Sequence, residues 1–322
     1  MSAETEDDAL QDVPERRIAT LDSSLHGQRL DKALVTMAGE FSRSYLQTLI
    51  EQGHVLINGV TANSASRKVV AGQQVTLDLM PTPESRAFRP EAMPLVVVFE
   101  DEHLMVIDKP AGLVVHPAAG HWSGTLLNGV LAHHPSAATL PRAGIVHRLD
   151  KETSGLMLVG KTLLAVTALV RAIAARDVHR EYVALAHGRL TSAALRIDAP
   201  VGRDPQSRVR MAVVASGKPA QTDVTRLAVL EMEDGSFSAV RCKLHTGRTH
   251  QIRVHLASRG HPLLADPTYG GRLMLGMQRQ ALHAIRLGLT HPVTHSPLWF
   301  DAAIPADMAP AWKIITGGQN QV

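Results

Sequence analysis

The chain has 322 residues, of which 45% are hydrophobic and 20% charged. That balance belongs to a soluble globular protein of about two domains and excludes a largely disordered chain. No run of about 18 apolar residues marks a membrane span, and the single cysteine, Cys242, excludes a disulfide framework and argues against a cysteine-based metal site. The net charge of +3 hides an asymmetry. Residues 1–15 hold six acids and no Lys or Arg, which leaves 33 basic against 24 acidic side chains, or +9, in the rest. A basic body suits a polyanionic partner, although aromatics at 3% leave little for a surface of stacking rings.

In chain order, residues 1–17 read as a disordered acidic tail. It has neither the basic nor the apolar region of a secretory signal, and with one cysteine a reducing cytoplasm is the expected compartment. Residues 18–80 read as a small module. Leu30, Ala33, Leu34 and Met37 recur at helical spacing, and Ser42 suits the N-cap of a second helix with Tyr45, Leu46, Leu49 and Ile50 on its apolar face, ended by Gly53. Asn58-Gly59 between short apolar runs predicts a hairpin, and VTLDL a closing strand. Residues 81–94, with four prolines and no apolar period, read as a linker. From residue 95 to 316 strands dominate: LVVVFEDEHLMVIDKP, EYVALAHGRL and the alternating SAVRCKLHT, with helices predicted over 162–176 and in RTHQIRVHLASRG, closed by Gly260. Few helices and no regular strand–helix alternation give an α+β class. There is no internal repeat.

The densest chemistry lies in GIVHRLDKETSGLMLVGKT, residues 144–162. Gly155–Thr162 fits the phosphate-cradling pattern G-x-x-x-x-G-K-[ST]. A phosphate loop must turn tightly so that its N–H groups converge on an anion, whereas Leu156, Met157, Leu158 and Val159 belong in a buried strand. We therefore reject a nucleotide-hydrolase reading and expect no nucleotide cofactor. The better reading makes 147–154 an exposed loop between two strands, carrying Arg148, Asp150, Lys151 and Glu152.

HRLDKETSGLMLVGKT resembles the active-site signature of the RluA/RluD type of large-subunit ribosomal RNA pseudouridine synthases. VIDKPAGLVVHP, HREYVALAHG, SGKPAQT, HTGRTHQIRVHLASRGHPLLADPTYGG and RQALHA follow in that family's order. GQRLDKAL and SRSYLQTLIEQGHVLINGV resemble the alpha-L RNA-binding fold. The resemblance covers most of residues 18–310. It implies a catalytic domain with a mixed, mainly antiparallel sheet, preceded by an alpha-L domain. It also implies an isomerase that converts uridine to pseudouridine in large-subunit (23S) ribosomal RNA, free or within a ribosomal subunit, at a stem-loop of the subunit interface. The HPAAG run matches the D branch except for Ala118, where that branch has glycine.

By that resemblance Asp150 is the catalytic carboxylate, acting either as a nucleophile or as a base on the ribose. Arg253 pairs with it, and Tyr182 stacks on the uracil with a possible part in removing the ring proton. Arg148 fills the hole left by the extruded base, and Leu282 lines the uracil pocket. The alpha-L module would contact phosphates through Arg29, Lys32, Arg43, Gln47 and Lys68. No cofactor or metal is implied, and the family suggests a monomer. On the residues alone, His147, His250 and His255 lack metal-site spacing and read as structural or RNA-contacting histidines. Tyr182 by itself reads as a half-buried strand tyrosine, and Lys109 before Pro110 as a solvated lysine at a rigid turn. A non-catalytic RNA-binding or ribosome-assembly factor is the rival reading, but binding an anionic partner does not call for a carboxylate such as Asp150.

Overall fold

A computed structural model describes residues 15–80, 87–118, 120–207 and 209–318. The acidic stretch 1–14 and the first six residues of the expected linker, 81–86, lie outside those residues. The chain divides into two compact units between Arg86 and Ala87.

In the first unit, α1 (Leu30–Met37) and α2 (Arg43–Glu51) pack on a sheet of β1 (Glu15–Thr20), β2 (Val55–Ile57), β3 (Val60–Thr61) and β4 (Gln74–Leu79), in the order β1-β4-β2-β3. The Ser42 side chain accepts the Tyr45 N–H, as a cap should. Asn58 and Gly59 both take positive φ, 51° and 78°, which closes the β2–β3 hairpin. Residues 15–17, expected in the tail, instead pair with β4 from Glu15↔Leu79 to Arg17↔Leu77. Arg16 is held by Asp78 at 2.7 Å, so a charged strand is recruited by its neighbour rather than by an apolar period.

In the second unit nine strands form one sheet among the described residues. These are β5 (Val96–Glu100), β6 (Leu104–Lys109), β7 (Ser154–Gly160), β8 (His179–His187), β9 (Ala194–Asp198), β12 (Gln221–Met232), β13 (Gly235–Leu244), β14 (Leu282–Thr290) and β15 (Pro297–Asp301). The order is β5-β6-β7-β14-β8-β13-β12-β9, with β15 on β14. The separate pair β10 (Val201–Arg203) and β11 (Met211–Val213) forms a small ribbon. All pairings in the large sheet are antiparallel except β7–β14, which makes the sheet mixed and mainly antiparallel. Tyr182 and Ala184 join a core with α3 (Leu126–His133) and α5 (Gln251–Ser258). Val183 and Leu185, pointing the other way, join α6 (Ala309–Thr316), while Leu156 and Leu158 pack with α4 (Leu163–Ala175).

One expectation changes here and another holds. Residues 87–94 are not free linker: Ala87 is buried, Asn128 Nδ2 donates to the carbonyls of Ala87 and Arg89, and Glu91 N–H donates to Asn128 O. The run Ser154–Gly160 is a fully buried strand, as its side chains demanded. Gly155 serves its pairing with β14, not a phosphate. It has φ +111°, and a Cβ there would lie 2.2 Å from Ala284 O, so only glycine permits the close parallel approach.

Candidate active site

The loop 146–153 leads into β7, and nearly every residue around Asp150 is fastened. His147 Nε2 accepts the Leu158 N–H at 2.9 Å, and Leu149 is buried. Lys151 O accepts from Gly112 N–H and from Lys109 Nζ, and Glu152 O from Arg279 Nη1 at 2.9 Å. The Asp150 side chain projects from this frame into a cleft of about 750 Å³.

Lys109 corrects its sequence reading. It is fully buried, and Nζ donates to Pro110 O, Leu113 O and Lys151 O at 2.8, 2.9 and 3.0 Å. Burial pulls its pKa down to about 8. It ties the end of β6 to the loop rather than meeting solvent.

Arg253 comes from α5 and is 5% exposed. Its Nη1 donates to Asp150 Oδ2 at 2.9 Å, while Nε and Nη2 grip both oxygens of the buried Asp266 at 2.7 and 2.9 Å. The guanidinium carbon sits 5.0 Å from the centre of the Tyr269 ring. Burial opposes its charge, but the hydrogen bond to Asp266 and the attraction of both carboxylates outweigh that and raise its pKa. One carboxylate thus fixes the guanidinium, and the guanidinium aims the other.

Tyr182 lies on β8 with its ring at the cleft, opposite Ala284 of β14, two residues beyond Leu282. Burial pushes its phenol pKa up. Leu282 lines the same cleft, and Arg148 is exposed at its rim. The structure therefore gathers Asp150, Arg253, Tyr182, Leu282, Arg148 and His147 around one space. His255 is elsewhere in function: it is fully buried between Thr222 Oγ1 and Ala199 O.

Sequence reasoning missed Asp266 and Tyr269 and gave His250 no place beside Asp150. Asp266 and Tyr269 sit in ADPTYGG, whose only local signal is a turn. His250 takes a left-handed φ of 55°, shares a hydrogen bond with Tyr269 Oη at 2.8 Å, and places Nε2 3.9 Å from Asp150. Burial lowers its pKa, which favours the neutral ring. The cleft is lined by Arg142, Arg148, Arg176, Arg180, Arg248 and Arg253 but by a single carboxylate among the described residues, Asp150. Such a lining attracts a polyanion.

In the first unit Arg29, Arg43 and Gln47 converge on the fully buried Asp31, at 3.0, 2.8 and 2.6 Å. The hydrogen bond from Arg29, foremost, holds this carboxyl well below the usual range. Lys32 and Lys68 are exposed, and Lys68 pairs through its backbone with Arg29. Asp31 went unnoticed in the sequence because its burial is a tertiary fact.

The family described as "RNA pseudouridylate synthase" matches residues 103–258, and the S4 domain matches residues 28–75. The "Ribosomal large subunit pseudouridine synthase D" of Neisseria meningitidis serogroup B is 47% identical over 91% of this chain and 80% of that protein. The protein of the same name from Nitrosomonas europaea is 47% identical over 90% and 85%. Among solved structures, "Human RNA Pseudouridylate Synthase Domain Containing 1" superposes with a TM-score of 0.52 at 26% identity, covering 65% of this chain and 83% of that one. With its site assembled around Asp150 and its S4 domain ahead of it, the chain belongs to the family of ribosomal large-subunit RNA pseudouridine synthases.

Proposed function

We propose that this chain isomerises specific uridines to pseudouridine in large-subunit ribosomal RNA, with Asp150 as the catalytic carboxylate. The observation that supports this most is the Asp150–Arg253 contact of 2.9 Å inside a cleft whose volume suits a small-molecule fragment, about 300–1,000 Å³. The reaction breaks the bond from ribose C1′ to uracil N1 and forms one from C1′ to C5, with no net redox change. A proton leaves C5 and one returns to N1. Asp150 acts on the sugar either by attack or by proton removal, and in both cases Arg253 keeps its oxygen pair directed. The nucleotide must leave its stack, at a cost of a few kcal/mol. Loops and bulges lower that cost, so the target is a stem-loop. Arg148, exposed at the rim, takes the place of the extruded base, and Leu282 and Tyr182 enclose the uracil. The S4 module adds phosphate contacts through Arg29, Lys32, Arg43 and Lys68. In this reading the protein works as a monomer in the cytoplasm, on ribosomal RNA or a ribosomal subunit, without a nucleotide cofactor.

The test is Asp150→Asn. The variant should bind RNA as the unaltered protein does, yet leave no pseudouridine at the target positions of large-subunit RNA in cells lacking the unaltered protein. Persistent modification would sink the assignment, and a phenotype rescued by the inactive variant would favour the RNA-binding factor instead.

A further inference from the structure

Three arginines are buried among the described residues of the second unit: Arg180, Arg253 and Arg279. Arg253 is saturated by Asp266 and Asp150, and Arg279 by Asp307, Ser154 and three backbone carbonyls. Arg180 differs. It is 5% exposed, its Nε is enclosed with no hydrogen-bond partner, and no carboxylate lies within ion-pair distance among the described residues. A guanidinium stays charged at any physiological pH, and leaving such a charge buried and unpaired is costly. That arrangement is out of place unless something else supplies the anion.

Position says what that anion is. Arg180 and Tyr182 are alternate residues of β8, both facing the cleft. Alternate side chains on one strand face stand about 6–7 Å apart, comparable to the reach from a base to the phosphate of its own nucleotide. Gly247 leaves room for the guanidinium: a Cβ there would lie 2.9 Å from Arg180 Nη1. The single carboxylate that lines the cleft among the described residues, Asp150, is already committed to Arg253.

We infer that Arg180 is the seat for a phosphodiester flanking the flipped uridine, a subsite that fixes the nucleotide's backbone while Tyr182 holds its base. This rests on the pseudouridine-synthase reading above. The guanidinium fork meets two phosphate oxygens. Because the contact forms only once the nucleotide has entered the cleft, it stabilises the extruded state and not the initial complex. Loss of Arg180 therefore acts on turnover more than on RNA affinity.

The experiment uses the full-length protein and a short stem-loop RNA that it modifies. A single neutral methylphosphonate replaces the linkage 5′ to the target uridine in one RNA, 3′ in a second, and four nucleotides away in a third. With the unaltered protein, one of the flanking substitutions should lower single-turnover rates about ten- to hundredfold, the scale of a charge-assisted hydrogen bond, while the remote one changes them little. In Arg180→Gln the all-phosphate RNA should be slowed by a similar factor, and the flanking methylphosphonate should add almost nothing further. An undiminished methylphosphonate penalty in Arg180→Gln overturns the inference. So does a loss under twofold at both flanking linkages in the unaltered protein, a measurement that does not depend on the variant folding. If the unaltered protein forms no pseudouridine in any RNA, the parent reading fails instead, and the two failures are distinct.

Discussion

Asp266 is the residue on which the geometry of the site turns, although it does not itself line the cleft. It takes two of the three donors that Arg253 offers to carboxylates. Asp266→Ala leaves a buried guanidinium short of one partner, and breaking such a pair costs about 3–5 kcal/mol. Urea unfolding should show that loss, and pseudouridine formation should fall with it. A change in stability under about 1 kcal/mol would mean that the clamp is not structural. Arg148 should behave in the opposite way. It is exposed and unpaired among the described residues, so Arg148→Ala should alter stability by no more than about 0.5 kcal/mol. It should slow single-turnover conversion much more than it weakens RNA affinity, and an unchanged rate would remove the wedge role. At this scale the family resemblance picked out Asp150, Arg253 and Tyr182, and the structure brings those three side chains to one cleft. The sequence was silent on Asp31, Arg180 and Asp266 and misplaced Lys109 in solvent, because each owes its role to burial and to partners from distant segments.

At the scale of elements, the loop that bears Asp150 is held by its neighbours as well as by its own turn, in which Thr153 N–H donates to Asp150 O. Lys109 at the end of β6 and Arg279 before β14 grip successive carbonyls, those of Lys151 and Glu152. Lys109→Met keeps the length but leaves Pro110 O and Leu113 O without that donor, while Lys151 O keeps the Gly112 N–H; each stranded carbonyl loses about 1–3 kcal/mol of hydrogen bonding if water cannot replace it. A drop of at least about 2 kcal/mol is expected in denaturant titration. Full stability would show that water substitutes for the amine. The capped helices and the Asn58-Gly59 hairpin were readable because local chemistry decides them. The parallel β7–β14 pairing was not, since parallel strands meet through long connections that leave no mark in either strand. Likewise β1 is polar enough to pass for a tail, and only its register with β4 reveals it.

For the whole molecule, pH tells the buried histidines from the buried acids. Burial, with Arg180 assisting, lowers the His147 pKa to about 3, and burial with Arg279 lowers that of His283 to about 4. His116 is likewise brought to about 4 by burial and by Arg142 and Arg148. Each folded value lies below the ordinary 6.5, so the unfolded chain binds more protons and stability falls as the solution is acidified below pH 6.5. The carboxylates with depressed values, such as Asp223 at about 2 under the hydrogen bond from Arg196, begin to weaken the fold only below about pH 4. Urea midpoints should therefore decline between pH 7 and 5, a range in which the carboxylates with depressed values stay ionised in both states. A flat profile there would contradict the buried-neutral histidines.

The double hold on Arg253 has one more consequence. Because Asp266 anchors the guanidinium from behind, truncating Asp150 to alanine should leave a cationic socket of carboxylate size facing the ribose. Formate or acetate added in solution would find that socket already shaped. Recovery of a slow conversion by Asp150→Ala in such buffers, and not in chloride, would show that the enzyme's framework can work with a borrowed acid.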